Sequence, residues 1–255
     1  MIPKKIHYCW IGGNPLPESA KKCIKSWKKF CPDYEIIEWN ETNYDFSRNQ
    51  YMKDALAAKK WGFVPDYARL DIIYQHGGIY LDTDVEIIRS FDDMLKNKGY
   101  AGFESEDLVN FGQGFGAEAG NPVIKALRDS YEELSFINPD GSLNLIASPA
   151  LNTITLEELG LEKNNKKQIL SDCFTIYPIE YFCPKSLNDG IIRCTKNTYS
   201  IHHFDASWFT ESQQKAKLER WKQKQKKAKI KARRAKIRKF VTMIIGERLY
   251  NKIRK

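Results

Sequence analysis

The sequence predicts an α/β fold: a mixed, mainly parallel sheet flanked by helices over residues 1–210, then a basic helical tail over 211–255. Three observations lead to it. Short apolar runs alternate with stretches of helical spacing, the order that builds parallel strand–helix–strand units. Gly and Pro clusters mark the changes of period. The charge is also divided along the chain. Residues 211–255 hold 18 Lys+Arg against 3 Glu, which leaves 23 basic and 29 acidic residues in 1–210 and an overall net charge of +9. A mildly acidic body therefore carries a strongly basic appendage, with the boundary near Thr210.

Each element has a local reason. Ile6–Ile11 is an apolar run stopped by Gly12-Gly13 and Asn14-Pro15, which reads as a buried strand. From Pro17 to Phe30 apolar residues fall at 20, 24, 27 and 30, a helical spacing. Tyr34–Trp39 is a second strand. Residues 51–61 look helical, with Met52, Ala55 and Leu56 inward. Pro65–His76 is a further helix with Asp66 placed to cap it, and Gly77-Gly78 ends it. Ile79–Leu81 is a short strand leading into Asp82-Thr83-Asp84. Phe91–Leu95 reads as a short helix, Tyr100–Phe103 as a strand and Pro122–Leu134 as a helix. Residues 104–121, with glycines at 112, 114, 116 and 120, read as a loop.

Composition excludes several classes. A hydrophobic share of 42% with 13% aromatics supports a sizeable core and rules out wholesale disorder. No run of about 18 apolar residues exists to span a membrane. The start MIPKKIHYCWIGG has too short an apolar run for a signal peptide. The six cysteines, at 9, 23, 31, 173, 183 and 194, form no CxxC pair, so reduced thiols in a cytoplasm are the expectation.

The segment GGIYLDTDVEI, 77–87, carries the most chemistry. Asp82 and Asp84 alternate at a strand end, so both carboxylates point to one side. Two facing carboxylates repel, and the arrangement invites a divalent cation such as Mg²⁺ or Mn²⁺, which in turn binds phosphate oxygens. A strand's carboxyl end is also where α/β sheets bind ligands. Against this stands a plain solvated turn, where Asp is common.

The stretch DYARLDIIYQHGGIYLDTD, 66–84, resembles the sugar-nucleotide-binding region of DXD glycosyltransferases of family 32 and their relatives, among them capsule-synthesis transferases, fungal mannosyltransferases and the glucosylating domains of large clostridial toxins. The opening IPKKIHYCWIGG, Ser26-Trp27-Lys28 and the closing His202-His203-Phe204-Asp205-Ala206-Ser207-Trp208 resemble the same family, so the likeness spans residues 2–208. The resemblance implies a GT-A fold and transfer of a hexose from a nucleotide-sugar donor with retention of configuration. It implies that Trp10 stacks on the base. Asp66 and Arg69, three apart on a helix, would contact donor-sugar hydroxyls, with Tyr80 flanking the donor. Asp84 would ligate the metal. Asp82 would touch ribose and sugar hydroxyls, or the metal through water. Ser207 and Trp208 would hold the diphosphate. His203 is the expected third metal ligand, with His202 structural, or the two exchange roles; a histidine here departs from the toxin pattern, where a carboxylate stands. Asn110 and Gln113 of the loop NFGQGFG could read hydroxyls. Ser148-Pro149-Ala150 replaces a Gly-Pro pair on the acceptor side.

The family likeness makes the donor a uridine diphosphate hexose, glucose or galactose, with guanosine diphosphate mannose open, and the acceptor a surface glycan or lipid-linked saccharide. The tail, rich in Lys, Arg, Gln and Ala and with apolar residues at 230, 237, 241, 244 or 245, and 249, is expected to lie on an anionic membrane surface at the cytoplasmic face. Two rival readings exist. Asp82-Thr83-Asp84-Val85 resembles the strand end of haloacid-dehalogenase-like phosphatases, but the acidic pair Asp92-Asp93 comes too early. The tail alone would suit a polyanion-binding protein, a reading that leaves the body's motifs idle. No nucleic-acid partner is expected.

Overall fold

The computed structural model describes residues 1–205 and 210–245. Strand β1 (Lys5–Cys9) runs parallel to β2 (Glu35–Trp39), with Lys5 opposite Glu35 and Cys9 opposite Trp39. Between them α1 (Glu18–Phe30) carries Glu18 in its first turn and Lys28 and Lys29 in its last, each sign at the helix end that favours it. Its buried residues are Ala20, Cys23 and Trp27, and the Trp27 indole N–H donates to the Val85 carbonyl at 2.7 Å. Helix α2 (Gln50–Ala57) is capped by the Asn49 side chain and stops short of residue 61, where Lys59 takes a left-handed φ of 55°.

Helix α3 (Val64–His76) begins with Pro65 in its first turn. Asp66 does not cap it. Phe63 occupies the cap position, and Asp66 is instead drawn into the interior by Arg69. Gly77 at φ 62° ends the helix, and β3 (Gly78–Tyr80) returns parallel to β1, with His7 opposite Tyr80. His7 fastens this junction. Its Nε2–H donates to the Gly77 carbonyl at 2.9 Å, and its Nδ1 accepts the Trp39 indole N–H at 3.0 Å. Burial holds its imidazole at about 4, below the usual range, with the Gly77 bond opposing that shift.

Strand β4 (Val85–Ile87) follows, then a single 3₁₀ turn at Met94–Lys96 where a helix from Phe91 was predicted. Strand β5 is Gly99–Phe103. The predicted loop 104–121 contains two strands, β6 (Val109–Asn110) and β7 (Phe115–Ala117). Both are too short and too rich in neighbouring glycine to show a period, yet β7 fills the centre of the sheet between β3 and β5. Helix α4 (Pro122–Asp129) is shorter than predicted and continues as a 3₁₀ turn, Ser130–Glu132. Helix α5 (Ser148–Glu158), strands β8 (Gln168–Leu170), β9 (Phe174–Tyr177) and β10 (Ser200–His202), and helix α6 (Glu211–Ile245) complete the order.

The main sheet has eight strands in the order β2-β1-β3-β7-β5-β9-β8, with β6 on β5. Strands β2, β1, β3, β5 and β9 run one way, while β6, β7 and β8 run against them. Its two faces bury separate cores. Ile6, Tyr8, Ile79, Leu81 and Tyr100 pack with Cys23 and Trp27 of α1. Cys9, Tyr80, Ala101, Phe103 and Phe115 pack with residues of α2 to α5. Neighbouring residues of one strand thus enter opposite cores, which is why β1 reads as a continuous apolar run.

The chain forms two units, Met1–Lys185 with Ile192–Trp208, and Ser186–Ile191 with Phe209–Lys255. In the second, Trp221 is buried: its indole N–H donates to the Leu187 carbonyl at 2.9 Å, and Gln225 donates to the Asp189 carbonyl at 2.7 Å. Further along α6, Ile230, Ile237, Phe240 and Met243 are exposed. The side chains of Val241, Ile244 and Ile245, and Leu249 altogether, lie outside the described residues. No described helix is long and apolar enough to cross a membrane.

Candidate functional site

The site assembles where β3 ends. The backbone runs from Tyr80 through Leu81 into Asp82, whose N–H donates to the Gly112 carbonyl at 2.8 Å. Asp84 follows in the turn before β4. Because β10 pairs antiparallel with β4, with His202 opposite Val85, the end of β10 arrives beside this turn. His202 Nε2 lies 3.4 Å from Asp84 Oδ1. The Asp205 backbone N–H donates to Asp84 Oδ2 at 2.9 Å, and the His203 N–H donates to the Asp84 carbonyl at 3.0 Å. Ligand atoms of Asp82, Asp84 and His202 all lie within 4.8 Å of one another. Two carboxylates and an imidazole form a donor set that fits a divalent cation.

The electrostatics agree with a cation-seeking group. Burial pushes the Asp84 carboxyl up, but the His202 charge and hydrogen bond and the Asp205 N–H outweigh it and hold Asp84 at about 2. Burial pulls His202 down, and the adjoining Asp84 more than reverses that, raising it well above the usual range.

His203, the expected ligand, is turned elsewhere. Its Nε2 meets Glu86 Oε2 at 2.9 Å and its carbonyl accepts the Lys185 ammonium at 2.7 Å. The reason is the alternation of an extended chain, in which consecutive side chains point to opposite sides. His202 is thus the one that joins the aspartates. Ser207 and Trp208 lie outside the described residues.

Behind Asp82 stands Arg69. Its guanidinium donates to Asp66 Oδ1 at 2.8 Å and to the Pro65 carbonyl at 3.0 Å, and lies 3.6 Å from Asp82 Oδ2. Arg69 and Asp66 are both almost fully buried. Burial raises Asp66 to about 6, against the opposing pull of Arg69 and a hydrogen bond from Ser148. Tyr80 is also buried, with the Arg69 guanidinium 5.4 Å above its ring. It supports Arg69 rather than lining an open cleft, a correction to the expectation that it flanks a ligand. Trp10 is half-buried at the end of β1, with its indole N–H donating to the Asn14 carbonyl at 2.5 Å.

Gln113 and Asn110 spend their amide donors within the protein. The Gln113 amide is buried and donates to the Gly102 and Phe103 carbonyls, and Asn110 donates to Glu104. The loop between them matters through Gly112 instead. A Cβ there would stand 1.9 Å from Asp82 Oδ2 and 2.9 Å from Arg69 Nη1, so only glycine lets the loop cross the carboxylate. Sequence reasoning also passed over Asp205 and Lys185. The first was visible inside the closing motif, and the second carried no local signal.

The site thus joins a mixed sheet to two aspartates separated by one residue beyond a strand end and to a histidine brought to them from the far end of the domain. Residues 17–100 match the family described as "Glycosyltransferase sugar-binding region containing DXD motif", and the chain carries that region, with Asp82-Thr83-Asp84 as its motif. Inositol phosphoceramide mannosyltransferase 3 of Schizosaccharomyces pombe is 34% identical over 102 residues, 37% of this chain and 27% of that protein. Uncharacterized glycosyltransferase L373 of Acanthamoeba polyphaga mimivirus is 26% identical over 208 residues, 68% of this chain and 80% of that protein. Among solved structures, PaToxG Glycosyltransferase superposes with a TM-score of 0.50 at 20% identity, over 62% of this chain and 68% of that one, a likeness of fold. The chain spans about a quarter, 26% and 27%, of the length of two of the curated relatives it matches.

Proposed function

We propose that this chain is a metal-dependent, retaining glycosyltransferase that moves a hexose from a nucleotide-sugar donor to a saccharide acceptor. The observation that carries the reading is the Asp82, Asp84 and His202 group at the end of β3, whose two aspartates fall inside the family match at 17–100. These three residues would hold Mn²⁺ or Mg²⁺. When bound, the cation offsets negative charge growing on the departing diphosphate.

The chain's own residues divide the remaining work. Asp66 and Arg69 form a rigid pair behind Asp82 that orients the sugar hydroxyls. Their mutual bond fixes both side chains before the donor arrives, so little ordering is left to do at binding. Trp10, at the neighbouring strand end, offers an indole face to the base, worth roughly 1–3 kcal/mol. Ser207 and Trp208 are the candidate diphosphate donors. In the reaction, the bond from the anomeric carbon to the diphosphate oxygen breaks and its electron pair stays on that oxygen. The acceptor hydroxyl oxygen bonds to the same carbon from the same face, and its proton passes to the departing phosphate.

A uridine diphosphate hexose is our first choice of donor. Two fission-yeast relatives are named mannosyltransferases, which sets guanosine diphosphate mannose beside it. Melting shifts and hydrolysis across a panel of nucleotide sugars, with Mn²⁺, Mg²⁺ and excess chelator, test the whole reading. One donor class should stabilise the protein and be hydrolysed, and chelator should abolish both effects. A panel without response, or undiminished turnover in chelator, refutes it. Helix α6, with basic residues around exposed Ile230, Ile237, Phe240 and Met243, would hold the protein on an anionic membrane surface near a lipid-linked or surface-glycan acceptor.

A further inference from the structure

We infer that Lys185 is a donor-binding residue whose ammonium meets the leaving diphosphate; this rests on the glycosyltransferase reading of the same site. Lys185 is partly buried at the rim of the aspartate turn. Its Nζ donates to the His203 carbonyl at 2.7 Å and lies 3.5 Å from His203 Nδ1. His203 in turn donates its N–H to the Asp84 carbonyl, so the ammonium is one residue removed from the carboxylate group. Burial lowers the Lys185 ammonium from its usual range, and the charges of Asp205 and Asp84 oppose that shift.

The charge balance gives this position its meaning. Asp82, Asp84 and Asp205 bring three negative charges to one turn, and a nucleoside diphosphate adds at least two more. A divalent cation supplies two positive charges. Arg69 supplies another, but it is buried and committed to Asp66, Asp82 and the Pro65 carbonyl. As the electron pair settles on the phosphate oxygen, a further cation must oppose it. Lys185 lies on the closing side of the turn, next to His203–Asp205, and its ammonium is a compact charge with three donors on a flexible stem. It can keep the His203 carbonyl while facing a phosphate oxygen. A fixed positive charge where negative charge develops lowers the barrier without reorganisation.

A merely structural role would differ. Lys185 also holds the His203 carbonyl, next to Phe204, a residue at a left-handed φ of 56° that is costly for an aromatic side chain. Loss of that support would loosen Asp84 and His202, and with them cation binding. The test compares wild type, Lys185→Met and Lys185→Arg as full chains. Mn²⁺ affinity and melting temperature are measured first. Calorimetry then follows uridine and guanosine diphosphates, and the corresponding nucleosides, with Mn²⁺ present. Lys185→Met should bind Mn²⁺ and nucleoside as wild type does, but bind the diphosphate about 10- to 100-fold more weakly, the loss expected for one charge-assisted hydrogen bond. Its kcat should fall further than its KM rises, and Lys185→Arg should recover part of both. Equal diphosphate binding by wild type and Lys185→Met overturns the role of Lys185 alone. So does a parallel loss of Mn²⁺ affinity. If wild type binds neither diphosphate, the donor reading falls and this inference with it.

Discussion

His7 is a single residue in which sequence, packing and pH meet. It sits in β1 with no exposure, donates to the Gly77 carbonyl and accepts from Trp39; the second bond requires the neutral ring, because a protonated Nδ1 cannot accept. Its folded pKa of about 4 lies below the ordinary 6.5, so the unfolded chain takes up the proton first. Stability from this group is therefore fully present above about pH 6.5 and is lost as pH falls through about 4. The separation corresponds to roughly 3 kcal/mol. His7→Phe should be less stable than wild type at pH 7, through its lost hydrogen bonds, yet should lose less on acidification. Urea unfolding of both proteins between pH 7 and pH 4 measures the difference, and parallel curves would refute the assignment. Nothing in the sequence IHYCW marks this histidine as a junction, because its partners come from residues 39 and 77. Asp82 and Asp84 were legible as a pair beyond a strand end, but not by strand alternation: β3 stops at Tyr80 and Asp84 lies in the turn before β4, so the turn brings them together. Arg69 and Asp66 were legible as a helical pair, but their depth was not: burial depends on what α5 and the glycine loop place over them.

At the scale of elements, the pairing of β4 with β10 decides which histidine joins the aspartates. His202 and His203 look equivalent in sequence. In the structure the register puts His202 opposite Val85 and leaves His203 facing Glu86. His202→Ala should therefore weaken Mn²⁺ binding at least about tenfold, as loss of one of three ligands does, while His203→Ala should stay within about threefold. Calorimetric titration with Mn²⁺ separates the two, and the reverse ranking would refute the register argument. Strand β7 teaches a related lesson. Its three residues, Phe115–Ala117, carry too little period to be recognised, yet they complete the sheet between β3 and β5. Elements of that length are specified by their neighbours and not by their own propensity.

At the scale of the whole molecule, the charge division has a direct consequence. Helix α6 presents Lys231, Arg233, Arg234 and Lys236 beside exposed Ile230 and Ile237. The full chain should co-sediment with vesicles containing phosphatidylglycerol and stay in solution with phosphatidylcholine alone. Replacing those four basic residues by Gln should cut the partition strongly, at roughly 1 kcal/mol for each charge near the surface. Equal partition of both proteins would exclude the helix as the anchor. The sequence by itself determined the α/β alternation, the aspartate pair and the basic tail, because each depends on periods and charges that neighbouring residues supply. The tertiary structure alone decided that His202 faces the aspartates, that Gly112 crosses Asp82, that Arg69 is sealed between two carboxylates and that Lys185 reaches the same turn. Those contacts join residues distant along the chain, Asp84 and Asp205 being 121 positions apart, and only strand pairing and core closure bring such residues together.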